Sequence, residues 1–483
     1  MAFEVPISPM STERFRSVLP DERYAAFEQA SSLARELLDG RVVWNVNSTA
    51  HGGGVVELLG PLLSYARGVG VDARWLVIEG PPEFFTVTKR IHNRLHGTEG
   101  DGLPLDDAAR RVYEETLAAN TEELAERVRP GDVVILHDPQ TAGLTAAMRE
   151  QGASVIWRCH VGLDTPNEIA RQTWALLLPY LAAADAYVFS RESFAWDGLE
   201  RERVVVIPPT IDIFSPKNQD LEPDRVRAVL AASGVAVTAG DPAAAVFERQ
   251  DSTPGRVERH ATVWQEAPLP GDTPAVVQIS RWDALKDPLG VIRGFAEHVP
   301  AESGAHLLYA GPAVEAVADD PEGALMLRKS IELYEDLPVE ARARIHLATL
   351  PMEDTEENAI IVNAIQRHAT VIVQKSLAEG FGLTVAEAMW KARPVVASCI
   401  GGIQDQVVHG ETGLLLDDPR DLRAYGHAVT ELLSDRPRSE QMGGRGRDRV
   451  REHFISVRSL LDYLELVRRV LSGDPAYASA SRS

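Results

Sequence analysis

Cysteine is almost absent from this chain, with only Cys159 and Cys399 among 483 residues. Two thiols so far apart in sequence build no disulfide framework, which excludes the stapled secreted scaffolds and fits a reducing compartment. Cations are also short. With 71 Asp and Glu against 49 Lys and Arg, the formal net charge is -22, so nucleic acid and anionic membrane surfaces are repelled over most of the exterior. Aromatic residues make up 6% and lie scattered, which leaves no stacking platform for single-stranded nucleic acid. Long apolar runs are missing too. The most apolar stretch, TWALLLPYLAAADAYVF at 173–189, contains Pro179 and Asp185 and is too short for a comfortable membrane span. It reads as a buried helix running into a strand. The opening MAFEVPISPM has no basic region followed by an apolar one, so no secretory signal is expected and the expected location is cytoplasmic.

What is present is globular: 45% hydrophobic and 25% charged residues in a chain long enough for two large domains or three average ones. From residue 41 a short β-branched run followed by a helical stretch recurs, at 42–47, 73–78, 132–137, 154–159, 186–190 and 203–209. The pattern begins again after residue 274, at 275–280, 306–311, 344–349, 370–376 and 394–398. Apolar runs of this length between amphipathic segments are buried parallel strands with crossover helices, so the fold class expected is α/β with two doubly wound, Rossmann-like sheets. Between the series, 233–274 is rich in Ala, Gly, Pro and Thr, follows a regular helix at 223–232, and is expected to be a loop or flexible insertion near the domain junction. Ligands of open α/β sheets bind beyond the carboxyl ends of the strands, so a site is expected in an interdomain cleft lined by the loops that follow strands.

Five such loops, two of them at strand ends in the same sheet, carry polar chemistry. After VVWNVN comes STAHGGGVVELL, where Gly52, Gly53 and Gly54 leave amides uncovered at a helix start. The run lacks GxGxxG spacing and the Walker lysine, and no GxSxG elbow accompanies it, which argues against esterase chemistry. RCHVGLD ends a strand with Arg158, Cys159 and His160, and HDPQ ends another with His137 and Asp138. Two polar strand ends from one sheet strengthen each other. Strand alternation points Cys159 away from His160, so it is not taken as a nucleophile. In SRWDALKDP, Arg281 and Lys286 pair a planar fork with a mobile point charge, a combination that neutralises a diphosphate without a metal. Last, KSLAEGFGLTVAEAMW places Glu379 in a loop and Glu387 within a helix that starts near Leu383. Gly380, Phe381, Gly382, Leu383 and Thr384 lie between them, and amides at 382–384 face anionic oxygens at the positive helix end. Paired carboxylates suit vicinal hydroxyls, one for a sugar and one for a ribose. HNRLH at 92–96 lacks the glutamate of HExxH and reads as a helix face. No D-x-D occurs, so no metal clamp is expected.

Taken together, these stretches resemble the retaining GT-B glycosyltransferases of family GT4. More narrowly, VVWNVNSTAHGGGVVELL, HDPQ, WRCHVGLD, SRWDALKDP and EGFGLTVAEAMWKARPVV are similar to the glycosyltransferring trehalose synthases and the related trehalose phosphorylases. The resemblance covers most of residues 41–470. It implies an acceptor-side domain at 1–212, joined by a C-terminal helix at 456–483, and a nucleotide-sugar domain at 213–455. The implied reaction is reversible, retaining transfer of glucose from a nucleoside diphosphate to free glucose, giving α,α-trehalose without cofactor or metal. By that resemblance Arg281 and Lys286 bind the diphosphate, Glu387 the ribose and Glu379 the donor glucose. His160 contacts the donor sugar near the reacting centre, Gly53 and Gly54 line the site, and Asp138 and Arg158 contact the sugars. The expected partners are small molecules, with no nucleic acid and no membrane insertion, and a homodimer is compatible. The -22 charge then describes the exterior, with Arg158, Arg281, Lys286 and the helix end at 382–384 forming a small positive site. The competing readings are a phosphorylase yielding glucose 1-phosphate, a GT4 enzyme with another small acceptor, a nucleotide-sugar binding module without turnover, and an acceptor-free epimerase.

Overall fold

The computed structural model describes residues 2–50, 54–314 and 321–473. The chain divides into two compact units, one running up to Thr210 and taking in the segment from Ser456, the other Ile211–Ile455. In the first unit, β1 (Phe3–Val5), β2 (Val43–Asn47), β3 (Ala73–Val77), β4 (Val133–His137), β5 (Ser154–Cys159), β6 (Ala186–Phe189) and β7 (Val204–Val206) form one sheet in the order β1-β3-β2-β4-β5-β6-β7. Only β1 is antiparallel. Every residue of β2, β4 and β6 is buried, the state that a run apolar on both faces demands.

The second unit holds a small hairpin, β8 (Val246–Glu248) with β9 (Pro254–Arg256), and a second seven-stranded sheet. Its strands are β10 (Thr262–Trp264), β11 (Ala275–Ile279), β12 (His306–Pro312), β13 (Ile345–Leu350), β14 (Val371–Gln374), β15 (Val395–Ser398) and β16 (Leu414–Leu416), in the order β10-β13-β12-β11-β14-β15-β16. Here the antiparallel edge strand is β10. Each unit has its own apolar core, around Trp157, Phe189 and Trp174 in the first and Trp282, Tyr309 and Tyr425 in the second. The expected pair of doubly wound sheets is what the chain forms.

Strand order reverses between β2 and β4 in the first sheet and between β11 and β14 in the second. Adjacent crossovers leave such a point in opposite directions, so the loops at the carboxyl ends splay apart and open a crevice for a ligand. The loops singled out from sequence follow these same four strands, or β5 beside them.

One expectation needs revision. The stretch 233–274 is not an unstructured insertion, because it supplies the β8–β9 hairpin and the edge strand β10 of the second unit. Arg249 ion-pairs with Asp354 at 2.6 Å and Glu356 at 3.0 Å, while the backbone amides of Glu258 and Arg259 donate to Glu357 at 2.7 Å. Strands of three residues are too short to show a period, and their anchors lie about a hundred residues away. Residues 1–40, which carry no motif, complete the first unit. β1 extends its sheet, and the helix Asp21–Leu37 packs on the helix Ser456–Ser472. The apolar run at 173–189 is, as read, a helix (Glu168–Leu181) leading into β6.

Candidate active site

In the second unit the crevice is built by the loops after β11 and β14. Asp283 accepts from Leu285 N at 2.8 Å and sets a single turn, Ala284–Lys286, whose carbonyl at Lys286 accepts from Gln278 Nε2 at 2.8 Å. Asp287 lies in the left-handed region at φ 48° and caps the helix Pro288–His298 through Gly290 N at 3.1 Å. The Asp-Pro pair accounts for this start, since the aspartate caps and the proline needs no amide partner at the first helical position. Lys286 is thereby aimed at the second loop, and its Nζ donates to Glu379 Oε2 at 2.6 Å. The same oxygen accepts from Ser376 Oγ at 3.2 Å.

A second pair runs the other way. Lys375, fully buried at the end of β14, donates from its backbone to Gln278 Oε1 at 3.0 Å and ion-pairs through Nζ with Asp287. Each loop therefore gives one ammonium to a carboxylate of the other, so neither can shift without uncovering a shielded charge. Lys375 and Asp287 were not anticipated as site residues. Their signals were a lysine ending an apolar strand and an Asp-Pro helix start.

Beyond Glu379 the chain turns at Gly382, φ 82°, into the helix Leu383–Trp390, which no side chain caps. Its first amides are left for another acceptor. The turn 400–406 grips this loop: Gly402 N donates to Gly380 O at 3.0 Å, and Gln406 Nε2 to Phe381 O at 2.6 Å. Phe381 itself is buried and lies 5.8 Å from the ring of Phe454. Gly401 is obligatory here, because at φ 47° a Cβ would lie 1.9 Å from Glu379 O. Leu383 and Thr384 are half-buried in the first turn. Glu387 lies a turn deeper and is buried, with Lys217 Nζ at 3.6 Å and Gln366 Nε2 at 3.5 Å. Below it Lys391 donates to Asn218 Oδ1 at 2.8 Å and to the Glu387 carbonyl at 3.2 Å, and burial holds its ammonium pKa well below the ordinary value. Arg281 is exposed and pairs with Asp283 at 2.9 Å.

In the first unit the site residues gather at the ends of β2, β4 and β5. His137 closes β4; its Nε2 lies 3.0 Å from Asn45 Oδ1 and its Nδ1 3.1 Å from His160 Nε2. Asp138 takes the left-handed φ of 65°, donates its amide to Arg158 O at 2.7 Å, and accepts the His160 amide on Oδ1 at 2.7 Å. Desolvation pushes its carboxyl up to about 6. Gly54 opens the helix Gly54–Gly68 after β2, while Gly52 and Gly53 lie outside the described residues. Cys159 is a core residue whose thiol burial keeps protonated.

Arg158 departs from expectation. It is 1% exposed, and its guanidinium donates to Phe189 O at 3.2 Å, Ile207 O at 2.8 Å and Ser190 Oγ at 3.2 Å. Alternation leaves it on the same face as His160, but its guanidinium is drawn along the sheet to Phe189, Ser190 and Ile207, where it ties β5 to the ends of β6 and β7. It is a brace and not a sugar contact, and it adds no accessible cation to the site. Among the described residues no cluster of three or more His, Cys, Asp or Glu is arranged to hold a metal, and no helix is long and apolar enough to cross a membrane.

A family model described as "Trehalose synthase, N-terminal domain" matches residues 45–196, and one described as "Glycosyl transferases group 1" matches 265–449. Trehalose synthase of Pyrococcus horikoshii is 33% identical over 94% of this chain and 95% of its own length. Trehalose phosphorylase of Pleurotus pulmonarius is more distant, 24% identical over 90% of this chain and 58% of its own. Among solved structures, the UDP-forming α,α-trehalose-phosphate synthase of Burkholderia xenovorans aligns with TM-score 0.64 at 14% identity, covering 89% of this chain and 100% of that one. That likeness is one of fold, and it is the GT-B fold that the resemblance implied, built on the two doubly wound sheets expected from the strand pattern. With a third of its residues identical across nearly its whole length, the chain belongs to the trehalose synthase family of group 1 glycosyltransferases.

Proposed function

We propose that the protein is a retaining glucosyltransferase that makes α,α-trehalose reversibly from a nucleoside diphosphate glucose and free glucose. The observation that carries this reading is the reciprocal pairing of Lys286 with Glu379 and Lys375 with Asp287 at the strand reversal of the second sheet. Glu379 pairs with the Lys286 ammonium at 2.6 Å. A donor diphosphate takes over that cation and releases the carboxylate to the glucose hydroxyls, so phosphate and sugar are engaged together. Arg281 and the uncapped amides at 382–384 add charge complementarity, Gly380 and Phe381 shape the loop, and Glu387 takes the ribose hydroxyls. His160, Asp138, Gly53 and Gly54 meet the sugars.

The acceptor's anomeric hydroxyl oxygen bonds to donor C1 as the bond from C1 to the β-phosphate oxygen breaks. The hydroxyl proton passes to the departing phosphate on the same face, which retains configuration. Stabilising charge on that phosphate is the main catalytic contribution, and each such contact is worth about 10²–10³ in rate. The reaction as proposed uses no metal, and the near absence of cysteine supports a cytoplasmic setting.

The test is a screen of nucleoside diphosphate glucoses against free glucose, with the product's anomeric configuration read by NMR, and the reverse reaction run from trehalose with ADP, UDP or inorganic phosphate. Formation of α,α-trehalose, and cleavage only with a nucleotide, is expected, undiminished by EDTA. Cleavage by phosphate alone would make the protein a phosphorylase. Absence of turnover with every donor would leave a binding module.

A further inference from the structure

His137 and His160 of the first unit form an ordered pair whose proton positions follow from their partners. β4 and β5 are parallel neighbours with His137 opposite Arg158, which brings the His160 ring edge to edge with that of His137, 5.5 Å between centroids and 16° between planes. His137 is 2% exposed, and burial, aided by the Arg158 charge, lowers its pKa to about 3. It is neutral at physiological pH and carries a single N–H. Asn45 presents Oδ1 at 3.0 Å to Nε2, so the proton sits there and Nδ1 offers a lone pair. That lone pair faces His160 Nε2 at 3.1 Å, which must supply the hydrogen. Burial holds His160 neutral as well, and its remaining nitrogen, Nδ1, is then an acceptor. The backbone fixes the ring's base, because Asp138 receives the His160 amide at 2.7 Å from φ 65° and ψ 175°, a conformation otherwise all but reserved for glycine.

We propose that His137, backed by Asn45, is a positioning residue that locks His160 as the Nε2–H tautomer, so that Nδ1 accepts a hydrogen bond from a hydroxyl of the bound hexose. The second half rests on the reading of His160 as a sugar contact. A histidine free to exchange tautomers presents a donor part of the time and meets the same hydroxyl with the wrong polarity. Outer partners that fix an imidazole in this way are commonly worth about 10–100-fold in function.

The experiment uses the full chain labelled with 15N-histidine, with His160 assigned from a His160→Gln spectrum. In the wild type, long-range 1H–15N correlations are expected to show His160 protonated at Nε2 and bare at Nδ1. His137→Leu should shift His160 towards a tautomer mixture and lower kcat/KM about tenfold or more. His137→Asn, whose amide oxygen can stand near the lost Nδ1, should restore the tautomer and most of the activity. A wild-type His160 protonated at Nδ1, or one whose signals do not respond to His137→Leu in a folded protein, overturns the proposal. The wild-type spectrum decides the matter even if the leucine variant does not fold. If the spectra behave as expected but His160→Ala keeps full activity, the tautomer lock stands and the sugar-contact reading fails.

Discussion

Replacing Lys286 with methionine removes one ammonium and keeps most of the side chain's length, so its effect isolates charge. Glu379 then loses its 2.6 Å partner while its side chain is only 12% exposed, retaining Ser376 Oγ at 3.2 Å. Stripping one member from a buried ion pair costs about 3–5 kcal/mol. Residual exposure of 16% at Lys286 and 12% at Glu379 admits some water, which puts this case at about 2–3 kcal/mol. For a unit of this size that is a fall in Tm of about 4–10 °C. Turnover should fall at least about 10²-fold, the scale of one lost electrostatic contact to the leaving phosphate. Adding Glu379→Gln to Lys286→Met removes the stranded charge as well, and stability should return to within about 1 kcal/mol of wild type while turnover stays low. The assays are equilibrium unfolding and initial rates of trehalose formation. A double variant no more stable than Lys286→Met refutes the buried-pair reasoning. Turnover within tenfold of wild type in Lys286→Met refutes the diphosphate role.

Two further predictions concern the loops. Asp138, raised from 3.8 to about 6, binds a proton in the folded chain that the unfolded chain has already released between those values. Its contribution to stability is therefore present at low pH and lost as pH rises through about 6, so Asp138→Asn, which keeps the acceptor for the His160 amide, should match wild type near pH 4 and exceed it in Tm near pH 7; a difference that does not grow with pH would count against the desolvated carboxylate. Gly401→Ala places a Cβ 1.9 Å from Glu379 O in a left-handed backbone, and should cost about 1–3 kcal/mol and lower turnover together; a fully active, fully stable variant would show that the 379–382 loop moves freely.

Much of the architecture was legible because parallel strands buried on both faces must be apolar along their whole length. VVILH and AVVQI announce themselves locally, and both are fully buried strands. The candidate loops were legible for a related reason: ionisable residues such as His160, Lys286 and Glu379 gather where apolar strands end, whereas a polar residue inside a strand, such as Asn45 or Gln278, needs a buried partner. Arg158 shows where that logic stops. It sits on the same face of the strand end as His160, and only the distant carbonyls of Phe189 and Ile207 that capture its guanidinium make it a buried brace.

Composition, strand periodicity and the polar residues of five strand-end loops determined that this chain forms two doubly wound units and which loops to consider as candidates for chemistry, since these follow from what neighbouring residues can bury. Pairing across distance was left to the tertiary structure. Lys286 meets Glu379, Lys375 meets Asp287 and His137 meets Asn45 across 93, 88 and 92 residues of sequence. The anchoring of 233–274 on Glu357 and Asp354 is of the same kind. Charges and lone pairs act over a few ångströms in space, and sequence order does not say which strands become neighbours at the point where a sheet reverses.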